Sequence, residues 1–165
     1  MPSERVGWIP GRRTRGGIAA AIAALLIVAG RTAAPAAPPP LQGASTIAAL
    51  YDRILDADFD AVAADLRVCS GLAREVCEVL EATRIWWRIL LDPDSRALDG
   101  PFEQAVERAI ASTEAWTVRE PGRAEAWFYL GAAYGARVQW RVLRVERLAA
   151  ARDGKRIKAA LERAL

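Results

Sequence analysis

From Ser45 to the C-terminus, apolar residues return every three or four positions and nowhere alternate with polar ones over a sustained stretch. That period matches the 3.6-residue turn of an α-helix rather than the two-residue repeat of a strand, and it commits the chain to packed helices. β-branched residues are too sparse to build strands. With 53% apolar and 26% charged residues, the chain can bury a core and still solvate its surface. The expected class is all-α.

The helices can be bounded by their punctuation. Ile47, Leu50, Tyr51, Ile54 and Leu55 share a face of a first helix, with Ser45 or Thr46 available as its N-cap. Asp56 to Asp60 interrupts it and caps a short second helix carrying Val62, Leu66 and Cys69, which Ser70-Gly71 ends. From Leu72 to Leu91 the apolar stripe widens to nearly half the circumference around Trp86, Trp87 and Leu90, which predicts a helix buried on two sides. The stretch DPDS at Asp92 stops it. Asp99-Gly100-Pro101 starts a fourth helix, with proline at its first position and Glu103 in its first turn, and Pro121-Gly122 closes it.

Residues 1–36 differ in composition. An arginine-bearing start, an uncharged apolar run over 16–30 and then small residues and prolines follow the order of a secretory signal. The run IAAAIAALLIVA is shorter than the roughly 20 apolar residues that span a bilayer, which favours cleavage over retention as a signal anchor. Ala34 and Ala36 offer an A-x-A cleavage site; uncleaved, residues 16–30 would tether the chain to a membrane. Residues 37–44 form a Pro/Ala-rich linker that the prolines keep extended, and the helical domain occupies 45–165. The expected location is the periplasm or cell envelope of a bacterium, with anchoring in the inner membrane as the alternative.

The charge balance points the same way. Arg5, Arg12, Arg13, Arg15 and Arg31 lie in the leader against Glu4 alone; removing them from the chain's 23 basic and 20 acidic residues leaves 18 and 19. The excess of positive charge is therefore a targeting feature, and no nucleic-acid partner is expected.

Catalytic chemistry finds little support. The chain has no histidine, which removes the commonest general base and the commonest metal ligand. Two cysteines without histidine argue against a four-ligand zinc site within one chain. Asp56, Asp58, Asp60 and Asp65 resemble a calcium loop only in spacing, because Ala61 replaces the turn glycine and no glutamate stands at the twelfth position. Helix capping is their expected role. No phosphate loop or nucleophile-base pair is visible, so neither an enzyme nor a cofactor is expected. Cys69 and Cys77 would lie about 12 Å apart along a continuous helix, too far for a disulfide. The turn at Ser70-Gly71 removes that obstacle, and an oxidising compartment favours the bond over two small buried thiols.

Further along, Trp127, Leu130, Gly131 and Tyr134 in AEAWFYLGAAYG fit W-x2-L-G-x2-Y, and Pro121 precedes the register start at Ala124 by three. Ala109 falls where the preceding helix carries a small residue. This stretch resembles the first helix of a tetratricopeptide repeat. The resemblance covers residues 101–165 moderately and 45–100 loosely. It implies antiparallel hairpins stacked as a short right-handed solenoid, with Trp127 packed between helices. The closing pattern of Ile157, Leu161 and Ala164 comes about 14 residues later than in a standard repeat. The last hairpin is therefore expected to be elongated: one helix from Glu125 to Ala151, a turn at Asp153-Gly154, and a final helix from Lys155.

The residues most open to a partner are sought in the basic segment from Arg137 to Leu165. Arg137, Arg141 and Arg144 share a helical face, and Trp140 lies beside them. A solvated face is the plain reading. The sharper one is a docking surface for an acidic peptide segment or anionic headgroups, with Trp87 the other tryptophan expected near a groove. The expected role is a scaffold for protein–protein interaction, and the alternative is a membrane-tethered or self-associating structural module.

Overall fold

The computed structural model describes residues 42–165. The leader over 1–36, with its apolar run at 16–30, and residues 37–41 of the linker lie outside the described residues. The described chain folds into six helices, which we label α1 (Ala44–Leu55), α2 (Phe59–Val68), α3 (Arg74–Leu91), α4 (Asp99–Arg119), α5 (Ala124–Leu143) and α6 (Arg147–Ala164). Among the described residues there is no strand.

Each short helix docks through one narrow stripe. α1 buries Leu50 and Ile54, and α2 buries Phe59, Val62 and Leu66. The α1 N-cap is Gly43, at φ 70°, and a Cβ there would collide with Leu72 of the α2–α3 turn. Ser45 and Thr46, the caps expected from sequence, sit inside the helix. Asp58 occupies the α2 N-cap position, but its carboxylate makes no cap hydrogen bond. It accepts from Arg53, as does Asp65 at 2.5 Å.

α3 is the axis of the fold. It touches α1, α2, α4 and α5. Val76, Val79, Leu80, Ile85, Trp86 and Ile89 are all buried, so the wide apolar face reflects neighbours on two sides. Phe102 of α4, with no solvent exposure, places its ring 6.2 Å from Trp86 of α3 and 5.7 Å from Trp140 of α5. These rings join three helices with geometry suited to aromatic contact. α4 begins two residues before Pro101, so the proline lies within the first turn, where its missing N–H leaves no intrahelical bond unmade.

The last hairpin corrects the sequence expectation. α5 stops at Leu143 after 20 residues and α6 runs for 18, with the reversal at Arg144-Val145-Glu146. Asp153 and Gly154 lie inside α6 instead of forming the turn. The turn has neither glycine nor proline, and Val145 adopts φ 65°, a region that a β-branched residue rarely enters. Nothing local announces it. Asp153, which reads as a helix breaker, is held instead by two arginines of α5.

Candidate functional site

The four residues expected to face a partner are taken up by the fold. Arg137 is 7% exposed; its Nε and Nη2 donate to the two oxygens of Asp153, both at 2.8 Å, and its Nη1 pairs with Glu107 of α4. Arg141 donates to Asp153 Oδ2 at 2.6 Å from Nη1. Arg144 reaches back to the α3–α4 connection, donating to the carbonyls of Pro93 and Ser95 and to Asp99 Oδ1 at 2.7 Å. Trp140 donates its indole N–H to the same Asp99 oxygen at 3.1 Å and is 6% exposed. The shared face of these arginines thus points at carboxylates and carbonyls brought in from α4, α6 and the α3–α4 loop. This corrects the expectation of a docking surface there.

The repeat-signature residues lie at helix contacts. Leu130 and Tyr134 are buried, and Gly131 sits against α6, where a Cβ would approach Leu161 Cδ2 to 3.2 Å. The missing side chain lets the two helices close. The Tyr134 hydroxyl donates to Glu114 at 2.5 Å and accepts from Arg156 at 2.9 Å; burial first, and then the hydrogen bond to Glu114, push its pKa up. Trp127 is half-buried, with its N–H on the Pro121 carbonyl at 2.8 Å and the Arg163 guanidinium 4.8 Å above its ring.

A cleft lies elsewhere, over α3 between α2 and α4. α2 has 10 residues, while α3 and α4 have 18 and 21. α2 packs on α3 without touching α4, and the mismatch in length leaves part of α3 uncovered. The result is a cleft of about 680 Å³, within the usual range for ligand sites. Its apolar lining includes Leu66, Leu72, Cys69 and Cys77.

Those cysteines form a disulfide, with Cα atoms 6.0 Å apart. Cys69 makes it possible by ending α2 at φ 51°, which reverses the chain within a few residues and returns Cys77 to it on the first turns of α3. The bond pins the C-terminus of the short helix to the axis of the fold, and so fixes one wall of the cleft.

Charged groups ring the opening. Glu78 accepts from Arg74 at 3.1 Å, and Glu81 takes both Nε and Nη2 of the buried Arg84 at 2.8 and 2.7 Å. The remaining rim cations, Arg67 of α2 and Arg108 of α4, are exposed and have no ion-pair partner among the described residues. With 40 residues between them, nothing local in the sequence links the two. The usable signal was the disparity in helix lengths.

No group of side chains among the described residues is arranged to hold a metal ion, and none of the described helices is long and apolar enough to cross a membrane. Comparison with protein-family models, curated proteins and solved structures finds no match.

Proposed function

We propose that this chain is an exported helical scaffold that holds another protein through the cleft between α2, α3 and α4, without catalytic chemistry of its own. The cleft carries the reading: it combines an apolar floor, a disulfide-pinned wall and two cations without an ion-pair partner among the described residues, features of a recognition site. The leader supports export, and a structural disulfide suits an oxidising compartment.

The finer architecture we propose is a short tetratricopeptide-like stack. Two observations favour it. Trp127, Leu130, Gly131 and Tyr134 occupy helix contacts in the manner that the repeat pattern implies. α5 also touches both α3 and α4, as the leading helix of one hairpin does when stacked on the preceding hairpin.

A photo-crosslinking amino acid at Val68, which is 75% exposed on the cleft rim, tests the reading in growing cells. A discrete adduct in the envelope fraction is expected from this position and not from Val118, which is 81% exposed on α4. The intact mass should show loss of the leader. Equal adducts at both positions, or none at Val68, would remove the cleft as the site.

One observation favours a self-associating module as the second reading. Phe128, Ala132, Gly135, Gln139 and Val142 form a stripe on α5, with Phe128 51% and Val142 62% exposed. Light scattering over a concentration series separates the readings, because self-association needs no other protein.

A further inference from the structure

Building on the scaffold reading, we infer that the α2–α3–α4 cleft takes an acidic peptide segment, with a carboxylate between Arg67 and Arg108 and a neighbouring aliphatic side chain on Leu66, Leu72 and the disulfide. The inference rests on how the charges around the opening are matched. Arg67, Arg74, Arg108, Glu78 and Glu81 line it. Arg74 pairs with Glu78, and Arg84, outside the lining, pairs with Glu81. Each glutamate therefore has an ion-pair partner within the chain, while the second oxygen of Glu78 is buried without a hydrogen bond. Arg67 and Arg108 remain, one on each flanking helix, so the unmatched charge is positive and faces the opening from two walls. Guanidinium groups bind carboxylates with directional, charge-assisted hydrogen bonds.

The shape selects a peptide over a membrane surface. A volume of about 680 Å³ accommodates a few side chains and cannot admit a flat bilayer. Apolar floor beside unpaired cation calls for an aliphatic residue next to Asp or Glu in an extended segment.

The test is a selection of random 12-residue peptides on the oxidised full chain. Enrichment of Asp or Glu adjacent to Leu, Ile or Val is expected. A fluorescent consensus peptide should then bind at least tenfold more weakly to R67E/R108E, and its Asn or Gln counterpart at least tenfold more weakly to the native chain. R147E/R152E, which changes exposed cations on α6 by the same total charge, should leave affinity within twofold. Thermal melts show whether the variants remain folded; Arg67 and Arg108 are exposed and make no ion pair among the described residues, so both melts should match the parent. Enrichment of neutral or basic peptides, no enrichment, unchanged binding to R67E/R108E, or an equal loss with R147E/R152E would each overturn the inference. So would competition by phosphatidylglycerol vesicles that itself depends on Arg67 and Arg108. Val68 crosslinking in cells together with any of these results would leave the scaffold standing and remove only the acidic ligand.

Discussion

Arg137 of α5 and Asp153 of α6 face each other through a two-point ion pair, Nε to Oδ2 and Nη2 to Oδ1 at 2.8 Å each, where Asp153 is only 1% exposed. Arg141 adds a third bond to the same carboxylate. Removing one partner from a buried pair leaves an uncompensated charge, which costs about 3–5 kcal/mol. Asp153→Ala should lower stability by that amount in urea unfolding. Replacing Arg137 and Asp153 together by Met and Leu should cost clearly less than the sum of the single changes. A loss under 1 kcal/mol for Asp153→Ala would show that the pair does not hold α6 in place.

The turn between α5 and α6 carries strain that can be relieved. Val145 sits at φ 65° with its side chain 68% exposed, so glycine there removes the conformational cost without losing packing. Val145→Gly should raise stability by about 1 kcal/mol, after allowance for the greater freedom of the unfolded chain. Thermal unfolding would show this as a higher midpoint, and a lower one would contradict the turn geometry.

Asp99 makes stability depend on acid. Burial pushes its carboxyl up, but hydrogen bonds from Arg144 and Trp140 and the charges of Arg144 and Arg96 outweigh that, so its pKa lies below the ordinary 3.8. A carboxyl with a depressed folded pKa adds stability above its unfolded value, and this is lost as pH falls through the folded value. Unfolding midpoints should therefore drop from about pH 4 downward. Asp99→Asn should be less stable than the parent at neutral pH and converge with it at the acid end. Parallel curves would show that the pair contributes nothing to acid sensitivity.

Opening the disulfide should loosen α2. A loop of this length contributes about 2–3 kcal/mol by restricting the unfolded chain. C69S/C77S should lose that much stability, and hydrogen exchange should speed up in α1 and α2 more than in α5 and α6. Uniform acceleration would mean that the bond is not a local clamp.

The last hairpin shows where sequence reasoning stops. Gly131 is readable because a helix contact requires a small residue there, whatever the partner. The Asp153-Gly154 pair misleads because its cost in a helix is offset by Arg137 and Arg141, whose approach depends on the fold. Arg137, Arg141 and Arg144 lie on one face in the sequence, but whether such a face meets water or carboxylate depends on what packs against it. Arg67 and Arg108 show the converse: neither is conspicuous alone, and the cleft between them exists because a 10-residue helix covers an 18-residue one incompletely.

By itself, the sequence determined that the chain is helical, where four of its helices begin and end to within a few residues, and that histidine chemistry is excluded. These follow from local periodicity, capping and composition, which act over a few neighbouring residues. The tertiary structure alone decided which arginines are satisfied, where α5 reverses into α6, and where an opening remains. Each of those depends on desolvation and pairing between residues distant in the chain, and that free energy is set only when the helices meet.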